Sequence, residues 1–213
     1  TSIGEYAFYR ADTMRISFSG ASSCAQIGPY AFAYSTVWMF NSDNPGTLDL
    51  SGVVTVSEYA FSGTSRLTTA IIAPSVESLG GRVFESSAIA SLQFAEERET
   101  SLEIADYAFS GMTALESVVL PSYVTAVPQN LFRSCTALAS VTLSEGVTAI
   151  GNNAFYGCTS LTYIVFPSTM ESTTSSWASS SGLENVYVCG SEEDFDGLRF
   201  NSSVTVYYYS EEE

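Results

Sequence analysis

Apolar and polar positions along this chain follow a pattern that starts again roughly every 23 residues. One copy reads Val124-x-x-Val127-x-x-x-Leu131-Phe132-x-x-Cys135-x-x-Leu138-x-x-Val141-x-Leu143, and the next Val147-x-x-Ile150-x-x-x-Ala154-Phe155-x-x-Cys158-x-x-Leu161-x-x-Ile164-x-Phe166-Pro167. The unit before them carries Ala108-Phe109, Leu115, Val118, Leu120 and Pro121. Phe8, Phe32, Phe61, Phe84, Phe109, Phe132 and Phe155 follow one another at intervals of 24, 29, 23, 25, 23 and 23 residues, and Trp177 takes the same place 22 residues later. A period of this size is the signature of a solenoid. Each unit ends in strict alternation (Val118/Leu120, Val141/Leu143, Ile164/Phe166), which predicts a short strand with these side chains on one face and their neighbours on the other. The stretch around each Ala-Phe is rich in Gly, Asn, Ser and Tyr and too short for a helix. It predicts a turn or a short 3₁₀ segment on the convex side.

One unit alone cannot bury its Leu, Val and Phe. Stacking sets each apolar side chain against its equivalent in the next coil, so the core becomes a continuous column. The expected fold is a solenoid of about eight coils, mostly β with short 3₁₀ or turn segments, and a parallel sheet along one face. The phenylalanines and the Leu and Val columns are its core.

The phrase Ile150-Gly151-Asn152-Asn153-Ala154-Phe155-Tyr156-Gly157-Cys158-Thr159-Ser160-Leu161 resembles the BspA-type, or Treponema pallidum-type, leucine-rich repeat. The resemblance covers residues 1–189 and is strongest over 102–167. The unit after Phe32 departs from it by an insertion at 40–46, and the unit after Phe84 is a residue short before Ile89. Thr64 and Met112 stand where the repeat has Cys. The resemblance implies a leucine-rich-repeat solenoid. It also implies an extracellular, secreted or cell-surface protein of bacteria or parasitic protists, used in adhesion and protein–protein contact.

The chain opens within a repeat, at Thr1-Ser2-Ile3-Gly4-Glu5-Tyr6-Ala7-Phe8. A solenoid needs capped ends, so an N-terminal flank is expected beyond this sequence. Residues 190–213 lose the pattern and read as a C-terminal cap. A short helix over about 191–200 is expected, with Ser191 as N-cap and acids in the first turn, followed by a final strand through Val204-Thr205-Val206-Tyr207-Tyr208-Tyr209. The acidic run Glu192-Glu193-Asp194-x-Asp196 lacks EF-hand spacing and is assigned to that helix rather than to calcium. Glu96-Glu97-Arg98-Glu99 reads as an exposed loop between coils.

Composition narrows the chemistry. Of 213 residues 46% are hydrophobic and 14% charged, enough for one elongated domain with a core. No run of 18 apolar residues occurs to span a membrane. The net charge is −16, and the seven basic residues are all Arg. That balance disfavours nucleic acid and anionic lipid. It suits solubility and a cationic partner, or reflects an acidic compositional habit. Histidine and lysine are both absent, which removes the commonest general base, metal ligand and Schiff-base amine. The acids are scattered as on a solvated surface, and neither a glycosidase pair nor a phosphate-binding loop stands out. No enzyme activity, cofactor or metal is expected. Cys135 and Cys158 occupy the same repeat position. Neighbouring coils bring such positions within reach of a disulfide, yet equivalent side chains run parallel, and buried free thiols are expected.

Alternation assigns the residues that look outward from the strands. One column is Ser17, Asp49, Ile71, Gln93, Val119, Thr142, Val165 and Tyr187. Its neighbour is Thr47, Thr69, Ser91, Ser117, Ser140, Tyr163 and Asn185. The columns are nearly uncharged in a strongly acidic chain. Two readings stand: such residues simply suit a flat parallel sheet, or Ile71, Gln93, Val119, Thr142, Tyr163, Val165 and Tyr187 form a contact patch. As a patch it would serve a protein partner, such as a host matrix or cell-surface protein. A glycan stacked on Tyr163 and Tyr187, and a plain structural spacer, are the alternatives. Trp38 and the insertion near Pro45 offer a further contact. The module is expected to be a monomer.

Overall fold

The computed structural model describes residues 1–12, 15–16, 24–40, 43–98, 100–191, 198–200 and 204–209. Each coil contributes one rung to a narrow ladder, then a run of turns carrying the Phe, then a rung to a broad sheet. The narrow ladder consists of two-residue parallel strands. These are β1 (Ser2–Ile3), β3 (Gln26–Ile27), β6 (Thr55–Val56), β8 (Ser78–Leu79) and β10 (Glu103–Ile104), then separately β12 (Ala126–Val127), β14 (Ala149–Ile150) and β16 (Ser172–Thr173). The broad sheet is likewise in two parts. The first comprises β2 (Arg15–Ile16), β4 (Met39–Phe40), β5 (Thr47–Asp49), β7 (Thr69–Ile72) and β9 (Ser91–Phe94). The second comprises β11 (Ser117–Leu120), β13 (Ser140–Leu143), β15 (Tyr163–Phe166), β17 (Asn185–Cys189) and β18 (Thr205–Tyr209). The expected solenoid of about eight coils is found, with its parallel sheet. The narrow ladder adds a second β face that a two-residue rung is too short to announce by alternation.

The insertion after Phe32 is absorbed without breaking the stack. β4 and β5 lie in one coil yet pair in parallel, with Phe40 opposite Leu48. Gly46 closes the loop between them by donating its N–H to the Trp38 carbonyl at 2.7 Å. The broad sheet therefore gains an extra rung there. The helix expected over 191–200 falls largely on residues 192–197, outside the described residues, as does Ser17. Thr205–Tyr209 pairs along its whole length with β17.

The Phe column runs down the interior. Phe32, Phe61, Phe84, Phe109, Phe132 and Phe155 are fully buried. Successive ring centroids from Phe8 to Phe155 lie 5.0, 5.1, 5.8, 6.1, 5.6 and 5.5 Å apart, and Trp177 closes the column edge-on at 6.0 Å. The turns around each Phe are hydrogen-bonded to the next coil as regularly as the strands. Phe8 N–H donates to the Ala31 carbonyl, Phe32 to Ala60, Phe61 to Val83, Phe84 to Ala108, Phe109 to Leu131, Phe132 to Ala154 and Phe155 to Trp177, at 2.7 to 3.2 Å. Within a coil the bonds are of i to i−3 type, as in Ala7 to Gly4, Tyr9 to Tyr6 and Ala11 to Phe8. Residues two before and two after the Phe take positive φ, among them Tyr30, Tyr34, Asn130, Asn153, Gly111 and Gly157. That is the third position of a type II turn, where Gly and Asn are at ease and a Tyr is strained.

Three substitutions test this packing. Phe132→Ala is expected to cost about 3 to 5 kcal/mol, because the vacated space is held open by Phe109 and Phe155. A mutant melting within a degree of the parent would contradict the assignment. Gly80 opens a turn run at a close approach between coils: a Cβ there would lie 2.5 Å from the backbone nitrogen of Glu58. Gly80→Ala should lose about 1 to 3 kcal/mol in urea unfolding. Gly81→Ala, whose Cβ meets only the Asp106 carbonyl oxygen at 3.4 Å, should stay within about 0.5 kcal/mol; equal losses would refute the close approach.

Candidate binding face

The broad sheet sets the outward columns in register. Asp49 pairs with Ile71 and Ile71 with Gln93 in the first part. Val119 pairs with Thr142, Thr142 with Val165, Val165 with Tyr187 and Tyr187 with Tyr207 in the second. The neighbouring column runs Thr69 and Ser91, then Ser117 opposite Ser140, and Tyr163, Asn185 and Thr205; Thr47, expected on it, pairs with Thr69 but is buried beside the extra rung. Each inward residue between them, such as Val118, Val141 and Ile164, is buried. Val119 is 56% exposed and Tyr163 44%, while Ile71 and Val165 are half-buried between their neighbours. Asp49 is the one charged residue among the described members of these columns.

At the C-terminal end the face becomes aromatic. Tyr187 stacks on Tyr207 with centroids 5.2 Å apart and planes 16° from parallel, and Tyr163 meets Tyr187 edge-on at 6.2 Å. Tyr207 belongs to this cluster although the repeat pattern, lost after 189, does not point to it. Its signal is the resumed alternation Thr205, Val206, Tyr207 opposite Asn185, Val186, Tyr187.

A second aromatic file lies on the turn edge. Tyr6, Tyr30 and Tyr59 stack face to face at 5.0 and 4.6 Å. The Arg82 guanidinium continues the file, 5.8 Å from the Tyr59 ring and 4.0 Å from Tyr107, while ion-paired with Glu85. These rings use their faces on one another and stiffen the edge.

The two parts of the broad sheet are separated at β9 and β11, which are neighbours but form no ladder. The return loop after β9 spans residues 95–102, eight residues where the loops at 73–77 and 121–125 have five. Pro121 also stands where Ala95 and Ser144 donate an N–H to Ile72 and Leu120 of the preceding coil, so that rung has no donor. Pro167 repeats the deficiency in a coil of normal loop length, and there pairing of β13 with β15 shrinks to Thr142 and Val165 without being lost. Tyr123 occupies the corner, its hydroxyl donating to the Ala95 carbonyl at 2.7 Å with the Arg98 guanidinium 5.2 Å from its ring. A groove of about 570 Å³ opens at this split.

Cys24, Cys135 and Cys158 are buried free thiols, and Cys189 is in no disulfide. The Cys135 thiol donates to the Phe109 carbonyl and the Cys158 thiol to the Phe132 carbonyl, both at 3.1 Å. Each thus bonds to the carbonyl of the Phe of the preceding coil. Burial pushes the Cys158 thiol up to about 12 and raises Cys135 as well, with Cys158 near enough to add to the effect.

This architecture is that of a leucine-rich-repeat solenoid. The chain belongs to the BspA type leucine rich repeat family, whose model matches residues 1–101 and 95–206. It is similar to a leucine-rich repeat protein from Eubacterium ventriosum ATCC 27560, at 24% identity over 75% of this chain and 41% of that one, with a TM-score of 0.61. It thus spans under half the length of that relative. It is also similar to the T. pallidum leucine-rich repeat protein, at 21% identity over 80% of this chain and 74% of that one, with a TM-score of 0.53. No curated protein matches the chain.

The thiol environments predict a labelling pattern. At pH 8 Cys135 and Cys158 should stay unmodified by an aromatic disulfide reagent in the folded protein and react on unfolding. Rapid native labelling of either, mapped by peptide mass, would contradict their burial.

Proposed function

We propose that this chain is a non-enzymatic recognition module that binds a protein partner through the outward columns of the broad sheet. The observation that carries the reading is the register. Val119, Thr142, Val165 and Tyr187 stand in one aligned file with Tyr163 in the file beside it, and Ile71 with Gln93 in the part before the split, nearly free of charge in a chain of net charge −16. A face of that kind sheds water at low cost, and Tyr adds amphipathic area with little side-chain entropy to lose. Family membership supports an extracellular or cell-surface setting and a role in adhesion. Neither needs a cofactor or metal, and a single copy of the chain presents the whole face.

Glycan stacking on Tyr163 and Tyr187 is the weaker reading. A sugar packs on an open ring face, but Tyr187 has one face against Tyr207 and the edge-on ring of Tyr163 beside it. Tyr187 thus keeps at most one ring face for a sugar, and a mixed hydroxyl and ring surface suits a protein better.

The test is a binding screen against extracellular-matrix proteins and a glycan array, repeated with Val119, Thr142, Tyr163 and Val165 changed to Glu. A protein hit weakened at least tenfold in the folded variant is expected. Hits indifferent to the change, or none, would leave the segment a spacer; glycan hits lost only on changing Tyr163 and Tyr187 would favour the sugar.

A further inference from the structure

Three lines of backbone bonds hold each coil to the next: the narrow ladder, the turn edge and the broad sheet. Because the lines lie on different sides of the coil, together they fix its tilt as well as its spacing. Among the described coils from Phe8 to Phe155, the coil of Phe109 is the exception. Towards the preceding coil β10 pairs with β8, yet β11 has no ladder to β9. Towards the following coil β11 pairs with β13 over its whole length, yet β10 has no ladder to β12. Each interface of this coil therefore lacks one line, and the two lack opposite ones. Ser91 and Ser140 donate their N–H to the Thr68 and Glu116 carbonyls of the coil before them. Ser117 holds the same place, so its N–H and, by alternation, that of Val119 face the broad split.

The packing around Phe109 carries the same disturbance. Phe84 to Phe109 is the longest step between phenylalanines of the column, 6.1 Å, and Phe109 to Phe132 is the most inclined, 36°. On the turn edge, the bonds from Tyr6 to Pro29, Tyr30 to Glu58 and Tyr59 to Gly81 measure 3.0, 3.1 and 3.0 Å. They stretch to 3.4 Å from Arg82 to Asp106 and 3.2 Å from Tyr107 to Gln129, then return to 2.9 Å from Asn130 to Asn152. Grooves open on both sides, about 570 Å³ at the broad split and about 620 Å³ at the narrow one, where Ser78, Glu103, Ala126 and Pro128 line it. Met112 stands in this coil where the next two have Cys135 and Cys158, an unbranched side chain that keeps its contacts while neighbours shift.

We propose that the coil of Phe109 is a flexible joint between two stiff arms, the coils before it and the coils after it. The first interface opens and closes on the broad side, the second on the narrow side, and each turns about the lines that remain bonded. Phe84 N–H to Ala108 and Gly111 N–H to Arg133, at 2.9 and 2.7 Å, hold the turn edge through both. The motion thus bends the solenoid without unstacking its core. The joint lies between Gln93 and Val119. It divides the outward columns into a panel with Ile71 and Gln93 and a panel running from Val119 to Tyr187. Rocking at the first interface changes the angle between the panels, and a partner that touches both selects one angle from those present. That use rests on the broad face being a contact surface; the joint itself does not.

The test is measurement of backbone amide residual dipolar couplings on the whole chain, without a partner, in two aligning media. Couplings from the coils of Phe32, Phe61 and Phe84 should fit one alignment tensor, and those from the coils of Phe132 and Phe155 another. The two tensors should differ in strength in both media, because domain motions up to the millisecond range average the couplings of one arm against the other. Tensors of equal strength that differ in orientation alone would mean a fixed bend and would overturn the joint. A single tensor for all five coils would overturn it too. So would a break in alignment elsewhere, as at the extra rung formed by β4 and β5. Since no partner is present, none of these results depends on whether the broad face binds one.

Discussion

Coil-to-coil contact along the turn edge is the constraint on which the rest of this solenoid depends. Each Phe is fixed twice, by its ring against the next ring and by its N–H against the next coil's carbonyl. Neither contact exists within a single coil, so stability is a property of neighbours. The turns that present the Phe hold Tyr6, Tyr30, Tyr34 and Tyr59 at positive φ, which costs on the order of 1 kcal/mol or more per residue. The hydrogen bonds between turns and the stacking of Tyr6, Tyr30 and Tyr59 offset that strain in the same place.

This division of labour explains where the fold tolerates irregularity. The broad sheet accepts an extra rung at β5 and opens between β9 and β11. The narrow ladder opens between β10 and β12, where Pro128 takes the place from which Gly80, Ala105 and Gly151 donate to the preceding coil. At neither split is the turn edge interrupted: Phe109 N–H reaches the Leu131 carbonyl and Gly111 N–H the Arg133 carbonyl across the second one. A rigid spine with interruptible faces is a sound basis for recognition, because a local change in loop length alters the surface without dissolving the core.

Much of this was legible in the residues. The Phe interval located the coils, and the alternation of Val118/Leu120, Val141/Leu143 and Ile164/Phe166 fixed which side chains face inward, hence the outward files from Asp49 to Tyr187. The narrow ladder was not legible, since a pair such as Ala126–Val127 is too short to show a period. The split was only half legible. The unit after Phe84 was read as a residue short before Ile89 with an exposed loop at 96–99, but whether such a loop bulges outward or parts the strands depends on Pro121 and on Tyr123 bonding to Ala95, both tertiary circumstances. Tyr207 was missed because the pattern that assigns faces had ended before it. What the face binds is a matter of its partner, which no internal periodicity encodes.

Amide hydrogen exchange across the coils tests the central claim most directly. The N–H groups of Phe84, Ser86, Phe109 and Gly111 should exchange only with global unfolding, while those of Ser117 and Val119 exchange much faster from the opened sheet. If the turn-edge amides exchanged as fast as Ser117 and Val119, or faster than the paired amides of β13, the turn edge would not be the spine and the account would fail.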